Sequence, residues 1–204
     1  MSTSLVLLHS PLSTAAQWGG LPGELRALGA HVTVPEITDD DRPPYAARYI
    51  ARASLEIAAN APGGPLLLAA AGAAGPLLPG IGAAQRAARR PIAGYLLIDA
   101  LLPQPGTVTR EDLHAAQAAP AGPAGRIPEH GTGAPPRRRP PDFSTEPLPS
   151  VADWPDAPCG YLATCDSGTR GAHLASLRGW PAGHAPGATG TALARALLDL
   201  AARL

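Results

Sequence analysis

The sequence predicts an α/β fold: a doubly wound, mostly parallel sheet of about five to six strands with helices on both faces. Two observations carry this. Short apolar runs bounded by turn residues alternate with stretches of helical period along most of the 204-residue chain. The runs are apolar at nearly every position, as strands covered on both faces are, and a helix between successive strands is what a parallel sheet requires.

Each element has its own reason. SLVLLHS is a short apolar run ending in turn residues, a buried strand. GGLPGELRALGA puts Leu21, Leu25 and Leu28 on one helical face, with Gly29 suited to the exit. HVTVPE is β-branched and stops at Pro35, a second strand. The next helix takes Asp40 or Asp41 as its cap, has prolines near its first turn, and carries the stripe Tyr45, Tyr49, Ala53, Ile57. PLLLAAA is a third strand, followed by a helix interrupted by Pro and Gly that ends in arginines. PIAGYLLIDA is a fourth, with Asp99 at its carboxyl end, and APCGYLATCD a fifth, with Asp166 at its end. GAHLASLRG is a short helix, WPAGHAPGATG holds a brief last strand, and TALARALLDLAARL is a terminal helix with Thr189 or Thr191 near its cap.

Length fits a single domain over 1–204. Residues 103–150 are dense in Pro, Gly and Ala and read as a shortened lid or loop insertion within it. The Arg run at 137–139 reads as a solvated stretch. Sixteen basic residues, all Arg, balance sixteen acidic ones, so nothing in the charge argues for nucleic acid or an anionic membrane as partner. No run approaches the ~20 apolar residues of a membrane span, and Leu5 to Leu8 is too short for a signal peptide. Cys159 and Cys165 flank one strand, too far apart along it for a disulfide. Both are expected to be reduced, in a cytoplasmic protein.

Ligands of parallel sheets bind at the carboxyl ends of strands. That rule selects His9 and Ser10, Gly72 and Ala73, and Asp99 and Ala100 as neighbours on one rim. No Gly-rich dinucleotide fingerprint follows the first strand, and a phosphate-binding P-loop is excluded by the absence of Lys. The six histidines show no metal spacing, so no cofactor and no metal are expected.

LVLLHSPLSTAAQWGG, LLLAAAGAAGPLLPGIGAA, GYLLIDALLPQPG and the stretch from FSTEPLP into GYLATCD together resemble the α/β-hydrolase superfamily. Within it they are most similar to actinobacterial hydrolases related to small esterases and hydroxynitrile-lyase-like enzymes. The resemblance implies an α/β-hydrolase fold whose nucleophile sits on a G-x-S-x-G elbow. Aligned on Gly75 and Pro76, it places Gly72 where that serine belongs, between Ala71 and Ala73. It also implies an oxyanion loop at Ser10, Pro11 and Leu12, and an acid near Asp166. The family histidine has no clear counterpart; the pair Gly183–His184 is a displaced candidate.

Glycine adopts the strained elbow angles without a Cβ penalty, so Gly72 would keep the turn and lose the reactive oxygen. Without an activated serine, hydrolysis should fall by about six orders of magnitude. The backbone N–H of Ala73 and the Ser10–Leu12 loop could still bind a carbonyl. The expectation is therefore a degenerate, non-hydrolytic hydrolase-like protein binding a small, largely apolar carbonyl compound, with a homodimer possible. Three alternatives stay open. One is a lyase, cyclase or isomerase using His9, Asp99 or His184 as acid or base. Another is a residual ester or acyl hydrolase with a relocated triad, in which Asp166 or a substitute nucleophile such as Ser10 takes part. The third is a pure interaction or dimerisation subunit with an empty pocket.

Overall fold

The structure, a computed structural model, describes residues 3–106, 108–118, 138–150 and 152–204. Six parallel strands lie in the order β2-β1-β3-β4-β5-β6. They are β1 (Ser4–Leu8), β2 (His31–Thr33), β3 (Leu66–Ala71), β4 (Ile92–Ile98), β5 (Cys159–Ala163) and β6 (Ala182–His184). The helices are α1 (Leu21–Ala27), α2 (Tyr45–Asn60), α3 (Leu78–Ala87), α4 (Arg110–Gln117), α5 (Gly168–Leu177) and α6 (Gly190–Ala201).

The all-apolar strands are explained by two cores, one on each face. Val6, Leu8, Leu66, Leu68 and Ala70 pack with Tyr49, Ala53 and Ile57 of α2, Ile81 of α3 and Ala172 of α5. Their chain neighbours Leu5, Leu7, Leu67, Ala69 and Ala71 point the other way, against Leu21 and Leu25 of α1 and Leu197 and Leu200 of α6. A strand alternates faces with period two, so both sets must be apolar.

Three local expectations are corrected. Neither Asp40 nor Asp41 caps α2: its N-cap is Pro44, without a side-chain cap bond. Asp40 is instead buried, and its Oδ2 accepts from the Leu12 N–H at 2.7 Å. The orphan N–H of Ala46 in the first turn of α2 donates to Glu146 Oε2 at 2.9 Å, a cap supplied by tertiary contact. Secondly, Gly72–Leu77 form a 3-10 turn before α3 begins. At Gly75 any Cβ would run into the Leu101 carbonyl oxygen, so the turn packs hard on the chain leaving β4. Thirdly, the region read as a shortened lid or loop insertion contains a regular helix, α4. Thr109 and Asp112 cap it reciprocally, with the Thr109 Oγ1 accepting from the Asp112 N–H at 3.1 Å and the Thr109 N–H donating to Asp112 Oδ2 at 2.9 Å. Residues 119–137 of that region, Arg137 of the arginine run among them, lie outside the described residues.

What is described of the insertion docks on the start of α2. Phe143 packs with Leu12 and Tyr45, and the Tyr45 hydroxyl donates to Asp142 Oδ1 at 2.6 Å. Arg110, buried, stacks 4.1 Å from the Phe143 ring centroid, donates to the Phe143 carbonyl at 3.0 Å, and has Glu146 3.5 Å away. Its companion Arg139 lies 5.7 Å from the same ring.

Phe143→Ala removes the centre of this contact. A buried Phe→Ala change costs about 3–5 kcal/mol, so the thermal midpoint should fall by roughly 10 °C in a chain of this length. An unchanged melt would mean that the insertion does not dock as described.

Candidate functional site

The register of the sheet lines up the rim. Leu8 of β1 pairs with Ala70 of β3, and Ala70 with Leu97 of β4. Two residues beyond each lie Ser10, Gly72 and Asp99. Ile98 pairs with Leu162, which puts Thr164, two residues on, beside Asp99. Strand order reverses between β1 and β3, the point where such sheets open a crevice. Gly72 stands at that point.

Gly72 has φ +54°, the left-handed region in which a non-glycine residue is strained. Its carbonyl accepts from the Leu101 N–H at 3.0 Å. A Cβ built on it would lie 3.2 Å from the Ser10 Oγ, so the Ser10 hydroxyl stands over the turn. That hydroxyl accepts from the Ala73 N–H at 3.3 Å, a long bond.

The other expected oxyanion donors are also spent within the chain. The Ser10 N–H donates to Gln17 Oε1 at 2.7 Å, the Leu12 N–H goes to Asp40, and Pro11 has no N–H to give. Pro11 and Leu12 are buried, Leu12 at φ +65°, against Tyr45 and Phe143. Ala100 is buried on the α3 side of the sheet, 3.1 Å from where a Gly75 Cβ would stand.

Among the described residues no imidazole activates Ser10. His9 is wholly buried; its Nε2 accepts from the Ile37 N–H at 3.1 Å. The proton therefore sits on Nδ1, which donates to the Ser10 carbonyl at 2.9 Å. Both ring nitrogens are engaged with backbone, and the ring lies edge-on to Tyr49. Burial, with Asp40 nearby, pushes the Tyr49 hydroxyl well above its ordinary range, and it donates to the His9 carbonyl. His9 thus holds the loop in shape, and its ring cannot serve as an acid or base towards Ser10.

Asp99 is buried at φ +44°, and both carboxylate oxygens accept from Thr164, from its N–H at 2.9 Å and from its hydroxyl. The carboxylate fills the space where Gly168 would carry a Cβ, at the start of α5. A carboxylate is favoured there by the helix dipole. Asp166 is exposed in the turn just before α5, and His184 is exposed at the end of edge strand β6.

A cavity of about 60 Å³ lies beside the turn, lined by Gln17, Trp18, Ala71, Gly72, Asp99 and Thr164 together with Leu21, Ile98 and Leu193. Of the expected site residues it brings together Gly72 and Asp99. Ser10 adjoins it over the turn, while His9, Pro11, Leu12, Ala73, Ala100, Asp166 and His184 stay out of its wall. Sequence reasoning missed Gln17, Trp18 and Thr164. Thr164 was findable, since it follows β5 by one residue as Asp99 follows β4; Trp18 and Leu21 carry no signal distinguishing them from core.

Cys159 and Cys165 are free thiols. Burial pushes Cys159 up to about 12 and Cys165 upward as well, so neither is a ready thiolate nucleophile. Among the described residues no cluster of three or more His, Cys, Asp or Glu side chains could hold a metal ion, and no helix is long and apolar enough to cross a membrane.

This six-stranded parallel sheet with helices on both faces is the α/β-hydrolase fold. The solved structures it matches carry that fold at low sequence identity. A pyrethroid hydrolase from Sphingobium faniae JZ-2 is 20% identical, with TM-score 0.62 over 99% of this chain and 98% of that one. An extracellular α/β-hydrolase from a Paenibacillus species is 15% identical, with TM-score 0.61 over 98% and 99%. Tomato methylketone synthase I, in complex with 2-tridecanone, is 14% identical, with TM-score 0.61 over 100% and 99%. No protein-family model and no curated protein sequence matches the chain.

Restoring a hydroxyl tests the turn. Gly72→Ser should destabilise the protein by about 1–3 kcal/mol, the cost of a non-glycine residue held at positive φ. It should still fail to react with a fluorophosphonate, because among the described residues no imidazole faces the new hydroxyl. Chemical denaturation and in-gel labelling check the two halves; labelling would show that a base does reach the elbow.

Proposed function

We propose that this protein is a non-hydrolytic member of the α/β-hydrolase fold that binds a small, largely apolar carbonyl compound at the former active site. One observation carries the reading: the elbow at the switch point presents Gly72, and the hydroxyl over it, on Ser10, meets no imidazole among the described residues. A site without a nucleophile–base pair lacks the step that makes such a site a hydrolase. The subgroup resemblance to small esterases and hydroxynitrile-lyase-like enzymes fits a scaffold repurposed in this way, and tomato methylketone synthase I complexed with 2-tridecanone is a protein of this fold holding a ketone.

The cavity is small and mainly apolar, with Gln17, Asp99 and Thr164 as its polar groups. A ligand whose carbonyl reaches past the cavity wall to the turn competes with the Ser10 hydroxyl for the Ala73 N–H. That bond is long, so the exchange costs little.

A second reading has its own support. Asp99 is a buried carboxylate at positive φ on the cavity wall, the setting of a general base. In this reading the protein catalyses a lyase- or isomerase-type proton transfer on the same ligand class.

The purified protein should turn over p-nitrophenyl acetate and butyrate no faster than buffer and take no fluorophosphonate label. A short ketone such as 2-pentanone should raise its thermal midpoint saturably, and Ser10→Ala should strengthen that binding severalfold by freeing the Ala73 N–H. Labelling or esterase turnover would overturn the reading. Proton exchange of the ketone's α-hydrogens into deuterated water, lost in Asp99→Asn, would decide for the second one.

A further inference from the structure

A larger cavity, about 340 Å³, lies away from the elbow. It runs between the start of α3, the chain leaving β4, the segment before β5 and the loop after α5. Gly72 is not in its wall. Six of its fifteen lining residues are proline, among them Pro76, Pro103 and Pro155. Proline fixes φ and has little freedom left to lose, so such a wall is formed before any ligand arrives. The aromatic side is equally set. Trp154 and Trp180 meet edge to face with centroids 5.6 Å apart, and Tyr95 backs Trp154 at 5.6 Å.

Among the described residues one charge stands at this apolar cavity. Arg178 is exposed, with its guanidinium 5.1 Å from the Trp180 ring centroid. One of its five N–H groups donates to the Pro103 carbonyl at 2.9 Å, which orients the head. Among the described residues no carboxylate lies within ion-pair distance of it. Nearby Asp156 is taken by Arg86 and the Tyr95 hydroxyl. A preformed apolar cavity with one oriented, unneutralised guanidinium at its mouth matches a ligand with an apolar body and a single anionic end. The planar fork of Arg favours a carboxylate. The volume, at the low end of ligand sites, keeps the body small.

We propose that this groove is a second ligand site, separate from the elbow, for a small monocarboxylate with an aromatic or alkyl body. The carboxylate pairs with Arg178 at the mouth, and the body lies against Trp154, Trp180 and the prolines.

The three tryptophans make the test specific, because Trp18 lines the elbow cavity while Trp154 and Trp180 line the groove. The probe is 4-phenylbutyrate, compared with its neutral analogue 4-phenylbutan-1-ol, in a tryptophan-fluorescence titration checked by calorimetry. Saturable binding is expected for the carboxylate, with the alcohol at least tenfold weaker. The fluorescence response should persist in Trp18→Phe and shrink in Trp180→Phe. Arg178→Met should weaken the carboxylate at least tenfold without affecting the alcohol, and Arg178→Lys should recover part of the loss. If Arg178→Met does not fold, the comparison of carboxylate with alcohol on the unmodified protein decides. No saturable binding, equal affinity for both probes, or a response that vanishes in Trp18→Phe would each overturn the proposal. None of these outcomes depends on whether the elbow binds a ketone.

Discussion

The site depends on one backbone constraint: three adjacent parallel strands end in register, and the helices that follow the first two leave on opposite faces. The chain after β1 goes to α1, in the core shared with α6; the chain after β3 goes to α3, in the core shared with α2 and α5. Ser10, Gly72 and Asp99 meet at the rim because each stands two residues past paired positions. The crevice needs no special side chains to exist. Its chemistry does, and at the turn this chain carries Gly72.

Polar satisfaction explains the state of that rim. A buried N–H without a partner costs about as much as a lost hydrogen bond, so the donors at this rim must find acceptors. They are found within the chain. Gln17, Asp40 and the Ser10 hydroxyl accept from Ser10, Leu12 and Ala73. The bonds at Gln17 and Asp40, at 2.7 Å, are short and hold the loop. The bond at Ala73, at 3.3 Å, is the weak one. Any ligand that exploits this rim enters at its least committed donor. His9 belongs to the same economy: it bridges the Ser10 carbonyl and the Ile37 N–H, and the Tyr49 hydroxyl fixes the peptide behind it.

The insertion between β4 and β5 does more than shield. Through Glu146 it completes the first turn of α2, and through Phe143 it presses Leu12, hence the Ser10–Leu12 loop, into place. Its flanks also supply much of the groove wall: Pro103 and its neighbours on one side, Trp154 and Pro155 on the other. The elbow cavity and the groove open from different cores. The elbow cavity draws Trp18, Leu21 and Leu193 from the α1–α6 side; the groove draws Pro76, Pro79 and Trp180 from the α3–α5 side. A scaffold with two preformed cavities on separate faces can hold two different ligands without either site competing for the other's walls.

By itself the sequence determined the strands, the parallel sheet, and the glycine at the elbow. These rest on local signals: apolar runs, period, and a turn that only glycine enters without strain. The sequence did not determine which polar residues meet. Asp40 reads as a helix cap from its position before Pro43 and Pro44, yet it is drawn to Leu12, and the cap of α2 comes from Glu146. The Thr109–Asp112 capping box was readable, but it lay in a Pro-rich stretch where composition hid it. Trp18 and Thr164 on the elbow cavity, and Arg178 beside Trp180, come together from separate elements. Such partnerships are fixed by sheet register and helix packing, long-range facts that no single window of residues encodes.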